Sequence, residues 1–265
     1  MKDFANNQLG ILRENAPLVH NITNFVVMGS TANILLALGA SPVMAHSADE
    51  VADMASIASA LVLNIGTLQA SWVDSMLIAA EAANKKGIPV ILDPVGAGAT
   101  RYRTDTVKRI LKELKIDVLR GNASEIMAVM QSGVKTKGVE SSISLSKDIH
   151  EAARDFAKAK QIIVAISGER DFITDGKTDY IVENGHPIMT KVTGLGCGLS
   201  SVVGAFCGVS EVNRLKAVAS AFGIYGLAGD MAVRKSILPG SFYIAFLDML
   251  ASIDEDDIKQ GLKIR

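Results

Sequence analysis

The chain has 265 residues, of which 49% are hydrophobic and 21% charged, with 27 Lys+Arg against 28 Asp+Glu and a formal net charge of −1. That supplies the apolar surface for one closed α/β core over 1–265, and the charge balance, without a basic run, excludes the electrostatic footprint that nucleic-acid binding requires. The N-terminus lacks the basic start and apolar core of a signal peptide, and the two cysteines, ten positions apart in one expected helix, would lie about 15 Å apart, too far for a disulfide; both point to a reducing, cytoplasmic setting.

Short apolar runs alternate with longer helical patterns up to Gly168, the signature of βαβ units on a mostly parallel sheet. Strands are predicted at Pro17 to His20, Pro42 to Ala45, Ala60 to Ile65, Ile88 to Asp93, Asp117 to Arg120 and Gln161 to Ser167. Several are apolar throughout, as strands covered on both faces must be. Gly39 closes a helix from about Met28, Ser47 to Glu50 has the spacing of a capping box, and Gly87 closes another helix. His20 and His46 lie near strand ends, and His150 and His186 read as solvated. No Cys-His or Ser-His-Asp arrangement follows from spacing.

Chemistry collects where strands end. Gly66-Thr67 and Ser167-Gly168 offer hydroxyls and free amides at the sheet rim, or simply begin a helix or loop. Val90-Ile-Leu-Asp93 delivers a carboxylate into a proline-glycine loop at the edge where parallel sheets bind ligands. Asp93 is therefore a candidate Mg²⁺ ligand or a turn cap. Asn122-Ala-Ser-Glu125 follows the strand ending at Arg120 and reads either as a helix cap or as part of a metal-phosphate cluster with Asp93. Asp175-Gly176 sits between two alternating runs as a hairpin turn, so antiparallel strands join the sheet late.

The final third is nearly all helical. Gly194, Gly196 and Gly198 alternate before a charge-free helix, where the amides of Gly194, Gly196 and Cys197 can form an anion hole, or the glycines serve only a tight turn. The glycines are too late for a dinucleotide fingerprint, and no Gly-Lys-Ser/Thr marks a P-loop. Neither charge-free stretch, Asn15 to Ala48 nor Val192 to Ser210, reads as a membrane span, because polar residues or glycines interrupt both. Small residues from Gly204 to Ala228 permit close helix contact.

Taken together, Asn21-Ile-Thr-Asn24, Pro42-Val-Met44, Asp93-Pro-Val-Gly-Ala-Gly98, Arg120-Gly-Asn-Ala-Ser-Glu125, Thr193-Gly-Leu-Gly-Cys197 and Pro239-Gly-Ser-Phe242 resemble the hydroxyethylthiazole kinase family of ribokinase-like enzymes. The resemblance implies a three-layer α/β/α sandwich that phosphorylates hydroxyethylthiazole with MgATP in thiamine salvage, as a homotrimer with active sites between subunits. It places the metal-phosphate carboxylates at Asp93 and Glu125, nucleotide contacts at Arg120 and Ser167, and substrate contacts at Met44 and Gly194, with Asn24 beside them. Cys197 falls where most ribokinase-like enzymes carry an aspartate base. Ser167 replaces the threonine expected of the family, and Leu195 and Gly198 are less usual in its glycine loop, where a second glycine after Cys197 would loosen the helix start. The alternatives are a kinase for another vitamin-precursor alcohol, such as a hydroxymethylpyrimidine or pyridoxal, and a non-catalytic nucleotide or vitamin binder; a redox enzyme is more remote.

Overall fold

The structure is a computed structural model that describes residues 1–130, 142–210 and 212–265. Eight strands are present among them: β1 (Leu18–Ile22), β2 (Ser41–Val43), β3 (Ala60–Asn64), β4 (Val90–Asp93), β5 (Val118–Asn122), β6 (Ile163–Ser167), β7 (Asp171–Thr174) and β8 (Asp179–Val182). They form one sheet in the order β2-β1-β3-β4-β5-β6-β7-β8, parallel from β2 through β6 and antiparallel thereafter. The late hairpin is present, with Gly176 at φ +84° in its turn.

Strand side chains alternate between two apolar layers, the period-2 geometry that makes a covered sheet possible. Val19, Val62, Ile91, Val118, Ala165, Ile173 and Val182 face α1 (Lys2–Asn15), α2 (Met28–Leu38), α8 (Leu195–Gly208), α9 (Arg214–Ala232), α10 (Pro239–Ser252) and α11 (Glu255–Gly261). Leu61, Leu63, Val90, Leu92, Leu119, Val164 and Phe172 face α3 (Val51–Ile57), α4 (Ala70–Lys86), α5 (Arg101–Glu113), α6 (Ala123–Met130) and α7 (Ser142–Lys160). The expected α/β/α sandwich is what the chain forms. Gly39 and Gly87 end α2 and α4 with φ of 105° and 82°, conformations that favour glycine.

The small residues of the last third bring α8 and α9 close to the sheet and to the chain's own end. A Cβ on Gly204 would stand 2.9 Å from Val62, and one on Gly226 would stand 2.6 Å from the Asn184 backbone. Beside β8, residues 262–265 run antiparallel, with Ile181 and Arg265 exchanging backbone hydrogen bonds of 2.8 and 3.0 Å. Asn184 anchors this return by donating to Asp230 Oδ2 at 3.0 Å and to the Gly261 carbonyl at 2.8 Å while accepting from Lys263 N at 2.7 Å. Among the described residues no helix is long and apolar enough to cross a membrane.

Two local expectations fail. Ser47 does not cap a helix with Glu50; its carbonyl accepts from Glu50 and Val51 in a turn, its hydroxyl accepts from Asp49 N, and α3 begins only at Val51. Gly198 does not loosen α8. A Cβ there would lie 2.4 Å from Ile34 and 3.1 Å from the Tyr225 hydroxyl, so the glycine is a packing requirement. The strand at 42–45 is also shorter than read, leaving Met44 just past β2.

Candidate active site

Register aligns the chemistry at the C-terminal edge of the parallel strands. Asn64 pairs with Asp93 across β3 and β4, and Asn122 pairs with Ser167 across β5 and β6. Asp93 is 1% exposed. Its Oδ2 accepts from Asn64 Nδ2 at 3.0 Å and from Ser200 Oγ at 2.7 Å, with Arg120 Nη1 at 3.8 Å. Burial raises its pKa to about 6, opposed by the Arg120 charge and the Ser200 hydrogen bond and reinforced by the Glu125 charge. Asp93 is thus a buried hub rather than a turn cap.

Arg120 spans two sides of the site. Nη1 donates to the Gly196 carbonyl at 2.8 Å, Nη2 donates to Ser167 Oγ at 2.8 Å, and Nε is buried without a partner among the described residues. Arg120, whose direct hydrogen bonds go to neutral acceptors, keeps donor capacity and positive charge available to an anion. Beyond it, Gly168 N donates to Asp171 at 2.9 Å, and burial raises the Asp171 pKa to about 6.

The glycine loop closes the opposite wall. Gly194 is the N-cap of α8 at φ +93°, and a Cβ there would collide with Ser30 Oγ at 2.6 Å. The amides that follow, at Leu195, Gly196 and Cys197, begin a helix and have no intrahelical acceptor, so they offer donors and the positive end of the dipole to an anion. Cys197 is half-buried and free, and Asn24 Nδ2 donates to its sulfur at 3.5 Å. Burial, then the Asp93 charge, pushes the thiol up to about 11 despite the helix start. Desolvation outweighs the hydrogen bonds from Asn64 and Asn24 and the Arg120 charge, which act to lower it. It is a thiol, not a thiolate, at neutral pH.

Glu125 caps its helix, as its spacing allowed, and also holds a neighbouring loop. It completes a capping box with Asn122, whose Oδ1 accepts from Glu125 N at 3.0 Å and whose own N donates to Glu125 Oε2 at 2.9 Å. Glu125 Oε1 accepts from Gly96 N at 2.8 Å, fixing the loop after Asp93. Its charge still reaches Asp93, so the two carboxylates share one field. Among the described residues no three His, Cys, Asp or Glu side chains stand together as a metal cage. A hydrated Mg²⁺, which keeps several waters and borrows phosphate oxygens, needs only one or two carboxylates, and this pair fits it.

Hydrogen bonds therefore gather Asn24, Asp93, Arg120, Ser167, Gly196 and Cys197. Gly194 joins through the helix start. Met44 takes part in none of these bonds; it is half-buried beside Ala45, whose carbonyl faces buried His20 Nε2 at 2.7 Å. Sequence reasoning missed Asn64 and Ser200, which hold Asp93, and Arg103, which donates at 2.6 Å to both the Val95 and Gly66 carbonyls and so ties two site loops together. An asparagine ending an otherwise apolar strand and a serine in a charge-free helix were the available signals.

The Hydroxyethylthiazole kinase family model matches residues 9–256. A hydroxyethylthiazole kinase from Desulfotalea psychrophila is 49% identical over 261 residues, covering 98% of this chain and 95% of its own length. The solved structure of a hydroxyethylthiazole kinase protein from Pyrococcus horikoshii superposes with a TM-score of 0.92 at 42% identity, covering 99% of this chain and 98% of that one. A ribokinase-like superfamily protein from Enterococcus faecalis shares the fold at a TM-score of 0.63 and 14% identity, over 93% of this chain and 95% of that one.

Proposed function

The chain belongs to the hydroxyethylthiazole kinase family, and from that premise we propose that it moves the γ-phosphoryl group of MgATP to the hydroxyl of 4-methyl-5-(2-hydroxyethyl)thiazole in thiamine salvage. The observation that carries the reading is the convergence of Asp93, Arg120, Ser167 and the α8 start at one sheet edge. Arg120 and Ser167 are assigned to nucleotide phosphates. The amides of Gly194, Gly196 and Cys197 are assigned as an anion hole for the moving group, and Met44, Gly194 and Asn24 to the thiazole alcohol. Asp93 and Glu125 would hold Mg²⁺, mostly through water, and the ion would neutralise charge on the phosphates when bound.

Phosphoryl transfer through a loose transition state asks little of a base, which suits a site whose nearest candidate is a protonated thiol. Cys197 then acts first as a shape element, held by Asn24, and at most as a weak base. Exposed Phe25, Val26, Leu36, Ile237, Leu238 and Ile244 support a homotrimer with sites between subunits, and the free cysteines suit the cytoplasm. The test is a coupled ADP-release assay with Mg²⁺. Hydroxyethylthiazole should exceed hydroxymethylpyrimidine and pyridoxal in kcat/KM, while ATP binding without ADP formation from any of them would favour a non-catalytic binder.

A further inference from the structure

Two backbone amides fix how the carboxamides of Asn24 and Asn64 are turned. Gly66 N–H lies 3.0 Å from one Asn64 side-chain atom and can only donate, so that atom is Oδ1 and Nδ2 faces Asp93. The Asn24 atom 2.9 Å from Asn64 Oδ1 must then be a nitrogen. Val26 N–H reaches the other Asn24 atom at 3.2 Å and independently requires an oxygen there. The Asn24 amide has two hydrogens; one goes to Asn64 and the other to Cys197. What remains on Asn24 is a single lone pair of Oδ1.

Resting on the kinase reading above, we infer that Asn64, through Asn24, makes the chain specific for a ligand oxygen that carries a hydrogen. Asn24 can accept from the acceptor's hydroxyl and has nothing left to donate. An ether, or the phosphate ester that the reaction makes, offers only lone pairs at that oxygen and faces Oδ1 unfavourably. Asn64 is a positioning residue in this scheme: together with Val26 N–H it keeps the Asn24 amide from turning over, and Asp93 and Gly66 keep Asn64 from doing so.

The experiment measures calorimetric Kd values for hydroxyethylthiazole and its O-methyl ether, without ATP, beside turnover of the alcohol. Wild type should prefer the alcohol by about tenfold, the size of one lost hydrogen bond. Asn64→Leu removes the short bond that holds the Asn24 amide nitrogen, leaves the longer Val26 N–H contact as the remaining lock on its oxygen, and should reduce that preference to about twofold or less. Asn64→Asp keeps an acceptor oxygen for Gly66 and Asn24, so the preference should survive even though charge beside Asp93 lowers kcat. A merely structural Asn64 would not separate these two variants. An unchanged preference in Asn64→Leu, or in Asn24→Ala, overturns the inference, and Asn24→Ala decides alone if Asn64→Leu does not fold. A wild type that phosphorylates the alcohol yet binds both ligands equally also overturns it. A wild type that neither binds nor phosphorylates the alcohol refutes the substrate reading itself, a distinguishable result.

Discussion

Among the described residues the same pair occurs twice, an asparagine donating at 3.0 Å to an aspartate, once at the active edge and once at the C-terminal closure. Around Asn184 and Asp230 the partners are backbone groups: Gly185 N donates to Asp230, and Asn184 meets Gly261 and Lys263. Lys263 stands 3.8 Å from an Asp230 carboxylate that is partly open to water. Around Asn64 and Asp93 the carboxylate is sealed, and its pKa rises to about 6 because burial exceeds what Arg120 and Ser200 return. One pair closes the fold; the other keeps a charge in an unfavourable place for use.

The largest expected effect breaks the second pair. Asp93→Asn and Glu125→Gln should each lower kcat by about a hundredfold or more, within the range of lost electrostatic stabilisation. For Asp93→Asn the thermal midpoint should hold or rise, by a sign that follows from linkage. A carboxyl whose folded pKa is raised binds protons more tightly when folded, so stability falls as pH climbs from about 4 to about 6, and at pH 7 the ionised group opposes folding. Thermal unfolding with steady-state kinetics checks this; near-normal turnover in both variants would return these carboxylates to loop fixing.

Breaking the first pair should do the reverse. Asn184→Ala removes three hydrogen bonds from a 6% exposed residue and should cost roughly 2–3 kcal/mol of stability, leaving kcat per folded molecule unchanged. Denaturant titration reads the first and active-site-normalised rates the second. The smallest effect on turnover or stability, a reactivity measured on the unchanged protein, sharpens the electrostatic contrast. With its pKa near 11, Cys197 should alkylate at pH 8 at least about a hundredfold more slowly than a free thiol and speed up only as pH climbs toward 11. Rapid labelling at pH 7, located by mass spectrometry, would contradict the protonated thiol.

Sequence made the layered fold legible because several strands are apolar nearly throughout and the helix ends carry Gly39 and Gly87, local signals with local causes. Asp93 and the glycine loop were legible because one ends a strand and the other starts a helix; Arg120, expected at a strand end, lies inside β5, which runs on to Asn122. Glu125 was half-legible: Asn-x-x-Glu announces a cap, and only the structure brings Gly96 to the other oxygen. Asn64, Ser200 and Arg103 were not legible, since their partners lie 29, 107 and 37 positions away and no spacing rule reaches that far. The Ser47 expectation failed because the Ser47 hydroxyl took the Asp49 amide and the Glu50 amide went to the Ser47 carbonyl, so the reciprocal Ser47–Glu50 pairing of a capping box did not form and a turn precedes α3.

The short return of residues 262–265 along β8 also bears on how copies of the chain behave when crowded. An open strand rim is a template onto which another molecule can add, and proteins that leave one bare are prone to aggregate. Here one rim is β2, only three residues long and containing Pro42, which has no amide hydrogen to give. The other is covered by the chain itself. Trimming the last four residues should therefore do more than remove Leu262 and Ile264 from their places against Gly223. It would uncover the outer hydrogen-bonding groups of Ile181 and Glu183 and turn a finished sheet into one that can grow.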